Sequence, residues 1–335
     1  IFQVANTRII EAYAPQRAQH TWRGHRLFGV DGTKVNLPPK LIDFGYSTPN
    51  QAAHYPQALV SCLYELQSRL PFDFDVVSHG DERKCASIHI DALSATDVVV
   101  YDRGYFSYAM LHKHSHSGIH AIFRLKERSF APIKEFFSSR ESDGLVTIDP
   151  SPQARAHILE KHPDLDIVPL QMRLLKYEIQ GSTFCLGTTL VEPYHRYPLE
   201  DFKDVYHARW GIEELYKISK RVFDVEDFHS KHERGIKQEL FAHFLLITMN
   251  RLFANQADAD LNGIDLMDPS FEADEQDSAT GIAARIQTNF KNCVHVIQRS
   301  LEELVLLDTK IKTAVQRALA AITRQYQKVR PGRSY

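Results

Sequence analysis

Residues 97–126 read DVVVYDRGYFSYAMLHKHSHSGIHAIFRLK, and this stretch decides the fold class. Asp97 to Tyr101 is a short apolar run of the kind found in strands buried on both faces. Ser107 then offers an N-cap for a helix from Tyr108 to about His114. Ile119 to Lys126 reads as a further strand. Strand, helix and strand in succession predict an α/β core.

The pattern extends in both directions. Upstream, Arg26 to Leu37 (RLFGVDGTKVNL) reads as a strand closed by Pro38-Pro39. A polar loop, Ser47 to Gln57, leads into two more strands, Ala58 to Gln67 and Pro71 to Ser78. Asp81 to Leu93 is helical in composition. Downstream, 128–198 changes character. Val146–Ile148, Ile167–Gln180 and Thr183–Val191 look β-rich, and Gly181-Ser182 suggests a hairpin turn. From Leu199 the chain turns helical, over Leu199–Phe223, Ile236–Ala254 and Gly281–Gln327. The expected organisation is therefore a first part of the core (1–127), a β-rich insertion (128–198), core helices (199–254), an acidic linker (255–280) and a C-terminal helical region with a basic tail (281–335).

With 335 residues, 43% hydrophobic and 24% charged, the chain has the balance of a globular protein with about two domains' worth of core. Its longest apolar stretch, Leu240 to Met249, is interrupted by His243 and is too short to span a bilayer, so no membrane role is expected. The chain begins at Ile1 without a charged start and apolar run, which reads as a trimmed piece with no secretion signal. Cys62, Cys85, Cys185 and Cys293 form no CxxC pair, which argues against a zinc module or disulfide framework and for a reducing cytoplasm. Cys62 and Cys85 read as core packing.

The formal net charge of −2 hides a segregation. Leu252 to Ala284 holds eight acids (Asp258, Asp260, Asp265, Asp268, Glu272, Asp274, Glu275, Asp277) and no Lys or Arg, so the remainder carries +6. Arg317, Arg324, Lys328, Arg330 and Arg333 follow with no acid among them. That leaves room for a basic face.

Two acids stand out by position. Asp31 sits inside the first strand, where strand propensity disfavours Asp. Asp102 ends the most apolar strand, at the carboxyl edge where open α/β sheets place their sites. Either one alone reads first as a turn or capping residue. The helical stretch YHARWGIEELYKISK adds a third element: Tyr206, Arg209, Glu213 and Lys220 fall within an arc of about 60° on a helical wheel. Ala208, Ile212, Leu215, Ile218 and Val222 lie opposite, so the spacing predicts one continuous helix with a buried face and an aligned polar stripe.

Together these residues resemble the DDE transposases of bacterial insertion sequences, in the branch marked by Tyr-x2-Arg-x3-Glu-x6-Lys. DGT around Asp31, DRGY around Asp102, EDFHSK (226–231) and RPGRSY (330–335) add to the resemblance, which runs from about Arg26 to the end. It implies a ribonuclease-H-like mixed sheet flanked by helices, with a β-rich insertion before the third acid. It implies DNA cleavage at transposon ends and strand transfer into target DNA. Asp31, Asp102 and Glu213 become the expected catalytic and metal-holding carboxylates. Cutting a phosphodiester needs an activated oxygen nucleophile and a stabilised leaving oxygen, and two metal ions about 3.5–4 Å apart serve both ends. Mg²⁺, with Mn²⁺ as substitute, suits hard oxygen ligands, and three converging carboxylates would repel each other without cations.

By the same resemblance Tyr206, Arg209 and Lys220 hold the DNA backbone, with Arg103 and Lys34 as further candidates that read equally well as solvated surface. Tyr206 also reads as a half-buried packing residue. Members of this branch often form a DNA hairpin with an aromatic residue of the insertion stacking on a flipped base. Here the tryptophans, Trp22 and Trp210, lie outside the insertion, and Phe184 and Tyr177 read first as core packing. His112, His114 and His116 lack an acidic or cysteine partner for zinc. The expected partners are double-stranded DNA (terminal inverted repeats and target) and a second copy of the chain, in the bacterial cytoplasm at the nucleoid. With 30 residues before Asp31, the family's N-terminal end-recognition domain is expected to be absent. The competing readings are a domesticated, non-catalytic DNA-binding descendant and a stand-alone nuclease of the same fold.

Overall fold

The computed structural model describes residues 1–17, 21–78, 80–179, 181–192, 195–266, 286–305 and 310–329. Asp268, Glu272, Asp274, Glu275, Asp277 and the RPGRSY end lie outside the described residues. Helices α1 (Phe2–Ala12) and α2 (Ala14–Arg17) precede β1 (Leu27–Asn36), β2 (Gln57–Glu65), β3 (Leu70–Val77), α3 (Glu82–His89), β4 (Val98–Tyr101), α4 (Tyr108–Ser117) and β5 (His120–Arg124). This is the strand, helix and strand order expected from the sequence. As expected, the Ser107 hydroxyl caps α4, accepting from the Met110 N–H at 3.2 Å. Gly118, at φ +72°, closes the helix in the left-handed region that favours glycine.

The chain continues through α5 (Ala131–Ser138), β6 (Asp143–Ile148), α6 (Pro152–Lys161), β7 (Leu170–Ile179), β8 (Ser182–Thr188), α7 (Leu199–Ala208), α8 (Trp210–Arg221) and α9 (Glu233–Asn262). It ends with β9 (Ile286–Thr288), α10 (Phe290–Val305), α11 (Ile311–Ile322) and β10 (Tyr326–Lys328). β1 to β8 form one sheet in the order β3-β2-β1-β4-β5-β8-β7-β6, and β9 pairs with β10. β1 is antiparallel to β2 and parallel to β4, and β4 is parallel to β5. This mixed sheet flanked by helices is the ribonuclease-H-like α/β fold.

Side-chain alternation sends each strand to two cores. Leu27, Val98, Val100 and Ile122 face one layer with Phe202 and Val205 of α7, Ile212 and Leu215 of α8, and Phe244 of α9. Phe28, Val99, Tyr101 and Phe123 face the other, with Ala86 of α3, Leu111 of α4 and Phe136 of α5. A third cluster joins Ala254 and Ala257 of α9 to Cys293, Ile297, Ala318 and Ile322 of α10 and α11. The four cysteines are free and buried. Among the described residues no helix is long and apolar enough to cross a membrane.

Several elements differ from the sequence reading. The insertion is not purely β. It carries α5 and α6, and α6 buries no residue, so its sequence lacks an apolar stripe to read. β8 also pairs with β5, so the insertion's strands extend the core sheet. α9 runs to Asn262, well into the stretch read as linker. Asp258 accepts from the Thr288 N–H at 2.6 Å, and Asn262 exchanges hydrogen bonds with Ile286, so these polar residues dock β9. Gly281–Gln327 is not one helical region either, since β9 and β10 flank α10 and α11. Finally, the expected helix Leu199–Phe223 is interrupted at Arg209. There the N–H of Arg209 bonds to Tyr206 O and that of Ile212 to Arg209 O, the tighter i→i−3 pattern.

Candidate active site

The site begins where two parallel strands stop pairing. β1 and β4 are in register over Leu27–Val98, Phe28–Val99 and Gly29–Val100. Asp31 and Asp102 each lie two residues beyond the last pair, at the carboxyl end, where an open sheet leaves a crevice. Asp31 is held from behind, its carbonyl accepting from the Tyr216 hydroxyl at 2.7 Å. Burial raises the Asp31 carboxyl to about 6; the Gly32 N–H and Arg209 oppose this, while Glu82 and Glu213 add to it. Burial also raises Asp102, but the Arg103 N–H, Arg209, the Tyr206 hydroxyl and Arg124 outweigh it and hold that carboxyl below its ordinary range.

The third acid comes from α8. Glu213 Oε1 accepts from Arg209 Nη2 at 2.8 Å, and Arg209 Nη1 stands 4.0 Å from Asp31 Oδ2. Tyr206 donates to Asp102 Oδ1 at 3.1 Å. The tighter backbone at Arg209 turns both Tyr206 and Arg209 inward, each 5% exposed. They therefore do not lie on an exposed helical face as the wheel implied. Burial lowers the Arg209 guanidinium, but Tyr206, Glu213, Asp102 and Asp31 together raise it above its ordinary value.

The remaining candidates lie further out. Lys220 Nζ donates to the Lys34 carbonyl at 2.7 Å, joining the end of α8 to β1, while the side chains of Lys34 and Arg103 are exposed. Trp210 is 45% exposed at the start of α8, whereas Trp22 is buried. Phe184 stacks on Tyr177 at 5.7 Å and takes the Arg124 guanidinium 4.4 Å from its ring centre, so both residues are occupied by protein packing. His114 is buried between Tyr101 and Ile119, with its imidazole pushed by burial to about 4. His112 and His116 stack on each other 4.0 Å apart, so the three histidines do not converge.

Sequence reasoning missed three neighbours. Arg124, at the end of β5, lies 4.0 Å from Asp102 Oδ1. Glu82, in the first turn of α3, lies against Gly32. Tyr105, three residues after Asp102, is buried against Tyr101. In the sequence Arg124 and Glu82 are charges among many, whereas Tyr105 closes the DRGY run and could have drawn attention.

The expected convergence of three carboxylates on shared ions is not reached. Among the described residues no three His, Cys, Asp or Glu side chains stand close enough to hold one ion. Arg209 occupies the middle and turns Glu213 onto itself. The donor set nonetheless suits a hard divalent cation. It is all carboxylate oxygen and part-exposed, with one guanidinium, Arg209, facing both Asp31 and Glu213.

The transposase DDE domain family matches residues 22–249, which include all three acids. The chain is 28% identical to Transposase InsG for insertion sequence element IS4 of Escherichia coli (strain K12) over 238 residues. The match takes in 69% of this chain and 52% of that protein, so the chain spans about half the length of the curated relative. Among solved structures, a cryo-EM structure of a piggyBac transposase synaptic complex with hairpin DNA aligns over 98% of this chain and 63% of that chain, at 9% identity and a TM-score of 0.46.

Proposed function

We infer that this chain, which belongs to the transposase DDE domain family, cuts DNA phosphodiesters at transposon ends and joins those ends to target DNA. The observation that carries the reading is the placement of Asp31 and Asp102 past the last pair of adjacent parallel strands, with Glu213 brought in by α8 against Arg209. A binder of DNA has no need of three carboxylates around a crevice, where they repel a phosphate.

Members of this family generally work with divalent metals. Asp31, Asp102 and Glu213 are the residues that would hold them, as Mg²⁺ or Mn²⁺, in a pair. When bound, such ions neutralise charge that develops on the phosphate and the leaving oxygen. The chain's own groups do the rest. Tyr206 orients Asp102, and Arg209 orients Glu213 and balances charge at Asp31. Lys220 spends one of its three donors on Lys34 O and keeps two for a phosphate. Exposed Arg103, next to Asp102, and Lys34, three residues beyond Asp31, serve the DNA backbone at longer range.

The partners we assign are duplex DNA carrying terminal inverted repeats, a target duplex and a second copy of this chain, since two ends need two sites. The setting is the bacterial cytoplasm, at the nucleoid. The organisation into a core, an insertion at 128–198 and a C-terminal region at 281–335 follows the same reading.

The test is incubation of the protein with candidate terminal-repeat duplexes, followed by product sizing. Cut and joined products are expected with Mg²⁺ or Mn²⁺, none with EDTA, and inhibition by Ca²⁺, which fits the ligand type but not the tight octahedral geometry. Cleavage in EDTA overturns the reading. Cutting without joining means a nuclease, and binding without cutting means a non-catalytic descendant.

A further inference from the structure

α8 and β1 run side by side in the same direction, and contacts at three points in ascending order fix their alignment. At the start of α8, Arg209 Cγ lies 3.7 Å from where a Cβ on Gly29 would stand. Further along, the Tyr216 hydroxyl donates to the Asp31 carbonyl at 2.7 Å, and near the end Lys220 Nζ donates to the Lys34 carbonyl at 2.7 Å. From 209 to 220 a helix rises about 16 Å, and from 29 to 34 a strand advances about the same. The matched lengths keep helix and strand in one register over the whole span. The Tyr-x2-Arg-x3-Glu-x6-Lys spacing does not include Tyr216, the middle of these contacts.

Glu213 lies inside this span, between two residues that reach Asp31 by different means. Four residues before it, Arg209 stands 4.0 Å from the Asp31 carboxylate, a charged link. Three residues after it, Tyr216 bonds the Asp31 main chain, a link that does not depend on the charge of the carboxylate. Tyr216 is buried in the core layer that holds Val60 and Ile212, and burial keeps its phenol well above the ordinary range, so the hydroxyl remains a donor. Helical side chains lean toward the N-terminus, so the ring reaches back along α8 toward Asp31. The strand needs such an anchor there. Past Gly29, β1 has left β4, and at Asp31 only β2 still pairs with it.

We propose that Tyr216 is a positioning residue of the reaction: by holding the Asp31 main chain against α8, its hydroxyl sets the separation of Asp31 from Glu213. The proposal rests on the reading of those two acids as members of the site, and adds a buried residue that acts through Asp31. One helix then carries both the third acid and the bond that locates the first. Loss of the hydroxyl leaves the ring to fill its place in the core, so the packing of α8 persists while the end of β1 gains freedom.

The experiment compares wild type, Tyr216→Phe, Tyr108→Phe and Asp31→Asn. Tyr108 is the control: it is also buried, its hydroxyl donates to the Val168 carbonyl, and it packs in the other core layer. Three quantities are read besides the melt. They are the single-turnover cleavage constant on a terminal-repeat duplex that the wild type cuts with Mg²⁺, the affinity for that duplex, and amide hydrogen exchange of the peptide spanning Asp31, in EDTA without DNA. Tyr216→Phe should cut about tenfold more slowly, part of the roughly 100-fold that an error of about 1 Å costs, with unchanged duplex affinity. Its β1 peptide should exchange faster. Tyr108→Phe should melt lower to a similar degree, yet cut and exchange at β1 like wild type. Wild-type cleavage in Tyr216→Phe, or a β1 peptide that exchanges like wild type, overturns the proposal and leaves the three-acid reading intact. So does an equal loss of cleavage in Tyr108→Phe, because stability alone then explains it, and so does a Tyr216→Phe that fails to fold beside a folded Tyr108→Phe. Wild-type cleavage in Asp31→Asn overturns both.

Discussion

Arg209 donates to Glu213 from one turn earlier at 2.8 Å, across the break between α7 and α8, and the same guanidinium stands 4.0 Å from Asp31. In the metal-free protein this arginine offsets the charge of Asp31 and Glu213, as Arg124 does beside Asp102. Arg209→Ala should therefore destabilise by roughly 1–3 kcal/mol, less than a fully buried pair because the carboxylates are part-exposed. The loss should be largest in EDTA and shrink when Mg²⁺ is added. Melting curves with and without Mg²⁺ check this, and an equal loss in both would mean that Arg209 acts through packing alone.

Asp31 makes stability depend on pH in an unusual direction for a carboxylate. Its pKa rises on folding from 3.8 to about 6, so the folded state holds the proton more tightly. The associated stability is fully present below about pH 4 and is lost as pH rises through about 6. At pH 7 Asp31→Asn should be more stable than wild type, by on the order of 2–3 kcal/mol at most. The gap should close below pH 4. A less stable Asn variant at pH 7 in EDTA would contradict the burial argument.

Tyr206→Phe removes the donor to Asp102 and the hydroxyl's contact with Arg124, while the ring stays in place. The Asp102 carboxyl should rise toward its ordinary range and lose its fixed orientation. Metal-dependent cleavage should drop on the order of 100-fold, the scale of an error of about 1 Å in positioning. Cleavage at the wild-type rate would reduce Tyr206 to a packing residue.

Lys220→Ala should weaken DNA binding by a similar factor for every sequence and lower the slope of log affinity against log salt by about one. The readout is a binding titration across salt concentrations. An unchanged slope would mean that Lys220 serves only its bond to Lys34.

The strands and the two aspartates were legible because their signals are local. Val98–Tyr101 is apolar on both faces, and an Asp within Arg26–Leu37 opposes strand propensity. Partnerships across the chain were not. Nothing in Ser182–Thr188 announces that it pairs with β5, and nothing in α6 carries a stripe, since α6 buries no residue. The wheel placed Arg209 beside Glu213 correctly, because a spacing of four survives a local tightening. It missed that the tightening turns Arg209 and Tyr206 inward. Arg124 and Glu82 come from β5 and α3, and only the sheet order brings those elements beside Asp102 and Gly32.

On the proposed reading Glu213, and not its neighbour, is the third carboxylate of the site. Glu214 lies about 100° around the helix, with its carboxylate on Lys217. The direct measurement is sizing of the products from a terminal-repeat duplex with Mg²⁺ for wild type, Glu213→Gln and Glu214→Gln, each verified as folded and DNA-bound. Glu213→Gln keeps the side-chain size and loses the charge, so cleavage should vanish while binding and the melt stay nearly level. Glu214→Gln should cut like wild type. An active Glu213→Gln beside a dead Glu214→Gln would move the third carboxylate to Glu214.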